Sequence, residues 1–300
     1  MPQNNNFDAL RLLSALLVLF SHQFALSGHW EPRFVGDHSF GNLGVLNFFA
    51  ISGYLVSISW RNDPHPCRFL IRRSLRIAPG LVLSITLTYA LVSALGLIGF
   101  PGNPLSALNG SLWTISLEVY CYLMLLGMAI LFSNSSLPFV AVMIIAWWFT
   151  GGQLTKFYFA HFGLFFAVGV LLSQYSMLRT PKAMVVLCAA GLALLMVDQT
   201  VLALALIVPS IVIDIGARSW PVLRNAGRLG DPSYGIYIYA WPVQQLFVHW
   251  LGANSSYLGL LIPSLITTVA LAYASWHLIE QPALRMKPRK QDGSSGVAGC

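Results

Sequence analysis

Charge is what this sequence most lacks. Asp, Glu, Lys and Arg make up 9% of its 300 residues, where a soluble globular domain carries roughly 25%. Hydrophobic residues make up 56%, and the mean hydropathy is +0.69. A soluble core of this length cannot hide so much apolar surface, which excludes an ordinary water-soluble fold and points to lipid as the solvent. No polar stretch is long enough to form a separate soluble domain. Cysteine is sparse and scattered, at Cys67, Cys121, Cys188 and Cys300, with no C-x-x-C pair, so neither a disulfide framework nor a zinc site is indicated. Several catalytic signatures are also missing: there is no Walker loop, G-x-G-x-x-G, H-E-x-x-H or G-x-S-x-G. No His is followed five positions later by Asp, which excludes the signature of soluble-type glycerolipid acyltransferases.

What is present is a series of apolar runs near the ~20 residues that cross a bilayer. They fall at 7–26, 42–60, 79–99, 112–132, 137–151, 157–176, 183–198, 200–217, 233–251 and 257–278. These predict an all-α fold, a polytopic membrane bundle of about ten transmembrane helices. The first run is of nearly full spanning length and has no small-x-small cleavage site after it, so it reads as a helix rather than a signal peptide. The expected organisation is one transmembrane domain over 1–284 and a basic, disordered tail over 285–300 on the cytoplasmic side. No internal repeat is apparent.

The basic residues test that layout. With the N-terminus inside, four segments fall on the cytoplasmic side. They hold Arg61, Arg68, Arg72, Arg73 and Arg76; Arg179 and Lys182; Arg218, Arg224 and Arg228; and Arg285, Lys287, Arg289 and Lys290. Only Arg33 and Lys156 fall outside, and Arg11 lies within the first helix. A wrong helix count would destroy this asymmetry. The net charge of +7 is therefore a matter of topology, not of nucleic-acid binding.

Ionisable groups inside apolar runs cost ~2.5–3.5 kcal/mol each on insertion scales, so each is a functional candidate. Arg11 and His22 lie eleven residues apart in the first run, about three turns and ~16 Å along one helix face. Glu118, in SLWTISLEVYCYL, is expected ~9 Å below the outer surface, a depth close to that of His22. A His general base with an orienting carboxylate needs such a pair, and Tyr122 shares the face of Glu118 one turn later. Packing alone also accounts for a snorkelling Arg, a hydrogen-bonded core His or a Glu satisfied by hydroxyls. Arg72, Arg73 and Arg76 precede Pro79, which is expected to open the third helix. Three clustered guanidiniums suit phosphate, although any cytoplasmic loop is basic.

Taken in order, these blocks resemble the membrane acyltransferase-3 family, integral-membrane enzymes that O-acylate glycans. FDALRLLSALLVLFSH matches its basic residue, ten-residue gap and His at Arg11 and His22. FFAISGYLVSISW and RRSLRIAP match its R-x-x-R at Arg73 and Arg76. SLWTISLEVYCYL matches at Trp113, Glu118 and Tyr122, and LGDPSYGIYIYAWPVQQ matches Ser-Tyr-x-x-Tyr at Ser233, Tyr234 and Tyr237. IEQPALR supplies the closing Glu280 and Pro282. The chain departs from the pattern at Ala240, where many members have His, and at Cys121, where many have Phe; no extracytoplasmic hydrolase-like domain is fused to it. The resemblance implies acyl-CoA, such as acetyl-CoA, as a donor substrate held by Arg73 and Arg76 with Arg11. It implies His22 as general base on a carbohydrate or glycolipid hydroxyl, assisted by Glu118, with Tyr122, Trp113, Ser233 and Tyr234 in support. No metal or permanently bound cofactor is implied. The implied location is the bacterial inner membrane, with both termini cytoplasmic. A secondary transporter is the alternative, for which inverted repeats and paired broken helices would speak.

Overall fold

The computed structural model describes residues 5–97, 99–100, 102–132, 135, 137–149 and 158–288. Every one of the ten apolar runs contains a helix: α1 (Phe7–Leu26), α2 (Phe40–Asn62), α3 (Pro66–Ala94), α4 (Trp113–Leu131), α5 (Leu137–Phe149), α6 (Tyr158–Gln174), α7 (Pro181–Leu195), α8 (Thr200–Ala217), α9 (Ser233–Leu251) and α10 (Tyr257–Ser275). A π turn, Trp276–Glu280, and a short helix, Gln281–Arg285, prolong α10. By length and composition six of these are able to cross a membrane: α1, α2, α3, α4, α8 and the extended α10. α5, α6 and α7 are shorter apolar helices. α9 carries Gln244 and Gln245, both fully buried, and owes its place to packing inside the bundle rather than to apolar composition. The count of ten spans is thus approximate. A two-stranded hairpin, Arg33–Val35 with His38–Ser39, joins α1 to α2.

Small residues set the helix registers. A Cβ on Gly53 of α2 would lie 2.0 Å from the Phe166 carbonyl of α6, and one on Gly44 would lie 2.5 Å from the Ser14 carbonyl of α1. Lipid supplies no hydrophobic drive between helices, so such close backbone approach is how they adhere. Gly41 of α2 packs on Ser21 of α1 and donates its amide to that hydroxyl at 2.9 Å.

At one end of the bundle lie the chain start and the four expected basic segments. The Asn6 amide bonds the Gly216 carbonyl at 2.9 Å, Arg61 bonds the Ser173 carbonyl at 2.6 Å, and Arg179 bonds Tyr54 at 2.9 Å. Arg72 donates to the Pro288 carbonyl at 3.1 Å. The first residues of the expected tail, 285–288, are therefore seated on the bundle; 289–300 lie outside the described residues.

One local expectation is corrected. Pro79 does not open α3: the helix begins at Pro66, where a proline at the first position and the His65 side chain, accepting from the Arg68 amide, form its start. Arg72, Arg73 and Arg76 thus stand on a helix rather than a loop.

Candidate active site

A cavity of about 670 Å³ opens among α1, α2, α3, α4, α9 and the end of α10. It collects Arg11, Arg73, Arg76, Glu118, Tyr122, Ser233 and Tyr234, residues from four helices spread over more than two hundred positions. His22 and Trp113 are not among its lining residues.

Its basic end is a network of guanidiniums, most of them answered by carboxylates. Arg76 contacts Asp231 at 2.5 Å, and Arg11 lies 3.7 Å from Asp231 and 3.5 Å from Asp8. Ser233, at the start of α9, donates its hydroxyl to the other oxygen of Asp231. Burial by itself would raise the Asp231 carboxyl, but Arg76 and Arg11 overcome it and hold the group down at about 2. At the rim Arg68 and Arg72 both grip Asp63, at 2.6 and 2.5 Å. Chiefly through the Arg68 hydrogen bond, they hold that carboxyl below its ordinary value. Lys287 lines the same mouth. Burial, followed by the fields of Arg76, Arg73, Arg11 and Arg72, pulls its ammonium down to about 8.

Arg73 differs from its neighbours. It lies 5.8 Å from the Phe69 ring and 5.9 Å from the Tyr122 ring, and its buried Nε has no hydrogen-bond partner among the described residues. Just beyond it Tyr122 and Ser52 both donate to one oxygen of Glu118. Tyr234 closes the α3 side, donating to the Ile77 carbonyl at 2.9 Å.

The far end is apolar. Val45, Phe48 and Phe49 of α2 and Ile115 of α4 line it, with Thr114 and Tyr237 hydrogen-bonded across it. One turn along α9 from Tyr237 stands Trp241, and the His22 ring meets Trp241 edge-on at 4.9 Å. His22 is thus outside the cavity, one layer past its closed end, with its buried Nδ1 unpartnered among the described residues. Both amide atoms of Gln23 and the Gln244 Oε1 are in the same condition.

The expected common depth of His22 and Glu118 is corrected. Gly41 sits against Ser21 and so marks the level of His22. Ser52, which bonds Glu118, lies eleven residues, or ~16 Å, further along α2. The reason lies before α4. Residues 102–112 descend along α9: Asn103 bonds Gln245, Trp241 donates to the Ala107 carbonyl at 2.8 Å, and Asn109 donates to the Ile238 carbonyl at 2.8 Å. α4 therefore starts deep in the bundle, and Trp113 rests on Tyr158 and Phe162 of α6 at 4.8 and 5.6 Å. Glu118 belongs to the layer of Arg73, not to that of His22.

Four further residues complete the site without having been candidates in the sequence: Ser52, Asp231, Tyr237 and Lys287. Asp231 sits two residues before Ser233, in a Gly-Asp-Pro turn that reads as an exposed loop. Tyr237 was the one with a signal, as the last residue of Ser-Tyr-x-x-Tyr.

Comparison with known proteins identifies the family. A family model described as an acyltransferase domain matches residues 4–277. An O-acetyl transferase of Shigella phage Sf6 is 28% identical over 338 residues, covering 96% of this chain and 99% of its own. Nodulation protein 10 of Rhizobium leguminosarum bv. viciae is 28% identical over 356 residues, 94% of each chain. No solved structure matches. With the family's pattern running through nearly its whole length, the chain belongs to the acyltransferase-3 family and is an acyltransferase.

Proposed function

We propose that this protein is an integral membrane enzyme of the bacterial inner membrane. It moves an acyl group, in the simplest case acetyl, from acyl-CoA to a hydroxyl of an envelope or secreted glycan or glycolipid. The observation that carries this reading is the polarity of the cavity: basic side chains converge at one end, and the other end closes one layer from His22. A ligand with several phosphates and a long arm suits such a space. The name of the phage relative, an O-acetyl transferase, supports acetyl.

In this reading the phosphates enter from the cytoplasmic side and meet Arg73, the guanidinium with an open Nε, together with Arg76, Arg11 and Lys287. Arg is suited to phosphate because its planar fork binds two oxygens at once. Glu118 holds Tyr122 and Ser52 beside the arm and balances the charge of Arg73. His22 takes the proton of the acceptor hydroxyl as that oxygen adds to the thioester carbonyl. The tetrahedral intermediate then collapses: the C–O bond to the acceptor stays, the C–S bond breaks, and the CoA thiolate leaves and is protonated. Tyr237 and Trp241 stand between the cavity's end and His22, so the acceptor hydroxyl and His22 have to approach the acyl carbon at that end, past Trp241.

The test is calorimetric titration of CoA into the purified protein, with mass spectrometry of envelope glycans from cells with and without the gene. Absence of CoA binding would remove the donor, and unchanged glycan acylation would remove the acceptor. Membrane orientation is checked separately by single-Cys labelling of intact cells. Asp37→Cys is expected to react from outside and Lys182→Cys is not; the reverse pattern would overturn it.

A further inference from the structure

The far end of the cavity bears on which acyl groups the enzyme accepts. Cavity-lining residues of α2 fall at 45, 48–49, 52, 55–56 and 58–59, all but Ile58 on a single helix face. From Val45 to Ser59 that face extends ~21 Å. Chemistry changes steadily along it. The Ser59 end faces Arg72, Arg73 and Lys287, the middle holds Ser52 with Glu118 and Tyr122, and the last stretch is Val45, Phe48 and Phe49 opposite Ile115.

That last stretch is closed by a fixed element. The Phe48 ring meets the Tyr237 ring edge-on at 5.5 Å. The Tyr237 hydroxyl is itself held by Thr114 and by the Ser111 carbonyl, the latter at 3.1 Å. Phe48 is therefore backed by a tyrosine whose own position is pinned by two hydrogen bonds, and it has little freedom to swing aside. Phe49 is locked as well, buried against Phe162 of α6 at 5.3 Å.

We propose that this apolar end is the acyl-binding subsite, and that Phe48, with Val45 and Ile115, limits the donor to short acyl chains of two or three carbons. The inference rests on the acyl-CoA reading above. With the phosphates at the arginines, the extended phosphopantetheine arm follows the α2 face, and the thioester arrives among Val45, Phe48 and Ile115. Each further methylene has to fit against the Phe48–Tyr237 stop. A pocket that excludes a methylene discriminates by about 10- to 200-fold.

Titration of the full-length protein with free CoA and with acetyl-, propionyl-, butyryl- and hexanoyl-CoA tests this, each affinity being expressed relative to free CoA for the same protein. For the wild type, the ratio is expected to hold through propionyl and to fall at least about tenfold by hexanoyl. Phe48→Ala is expected to restore hexanoyl-CoA to the acetyl-CoA level, and Val45→Phe to lose propionyl-CoA. Should Phe48→Ala not fold, Ile115→Ala and Phe48→Leu carry the same expectation in weaker form. A wild type that binds hexanoyl- and acetyl-CoA alike overturns the inference, as do folded variants whose chain-length series is unchanged. If no CoA species binds the wild type at all, the donor reading itself falls, a result distinct from either of these.

Discussion

The two ends of the site treat their polar groups in opposite ways. At the basic end Arg11, Arg68, Arg72 and Arg76 each have a carboxylate, supplied by Asp8, Asp63 or Asp231. In the layer past the apolar end, His22 Nδ1, both Gln23 amide atoms and Gln244 Oε1 have no partner among the described residues. A buried polar atom without a hydrogen bond costs ~1–3 kcal/mol, so the second arrangement is the more expensive one to leave empty. Arg73 apart, the basic end is organised before any ligand arrives. The His22 layer has hydrogen-bonding capacity to spare.

The largest effect that would sharpen this contrast is at His22. His22→Ala and His22→Gln are both expected to lose most O-acylation, by ~10²–10⁴-fold, while still binding CoA. Gln can hydrogen-bond but cannot take a proton near neutral pH. Substantial acylation by His22→Gln in a complemented deletion strain would place the base elsewhere.

Next comes Asp231. Removing one partner of a buried ion pair costs ~3–5 kcal/mol, so Asp231→Asn is expected to lower the thermal midpoint at pH 7 markedly. The folded carboxyl lies near 2, below the ~3.9 of an unfolded Asp. Its contribution is therefore complete above about pH 4 and lost as the pH falls towards 2. The gap between wild type and variant should narrow over that range; a gap independent of pH would mean that the charge is not what stabilises.

At Arg73 the expected change is smaller and confined to binding. Hydrogen bonds to charged groups contribute ~1.5–3 kcal/mol, so Arg73→Ala should weaken CoA binding on the order of ten- to a hundredfold, with Arg73→Lys in between. Binding equal to wild type would make the cluster topogenic only. The smallest effect concerns Lys287. Its ammonium sits near 8 among guanidiniums, and bound phosphates would raise it again. CoA binding is then expected to take up protons between about pH 8 and 10 and to weaken modestly across that window. Calorimetry in buffers of different ionisation enthalpy measures this, and zero proton uptake would contradict it.

Much of the fold was legible because apolar runs of spanning length have one physical reading, and each of the ten does contain a helix. The convergence of Arg11, Arg73, Arg76, Glu118, Tyr122, Ser233 and Tyr234 came from motif order. The depth of Glu118 was not legible. It rests on Gln245, Trp241 and Ile238 receiving a segment more than a hundred residues earlier, and local pattern contains no such pairing. Lys287 read as tail because a basic, Gly/Ser-rich stretch looks solvated. Asp231 carried no signal of its own because its partners come from α1 and α3.

Asp231 has one more consequence. Being part of the chain, it competes for Arg76 and Arg11 at a fixed effective concentration, of millimolar order or more for tethered groups. A free anion bearing a single phosphate has to displace it from solution and enters at a disadvantage. A ligand with several phosphates engages Arg73 and Lys287 first and then contests Arg76 from close by, on equal terms. On the acyl-CoA reading the carboxylate works as a threshold, favouring a donor with several phosphates over simple phosphate.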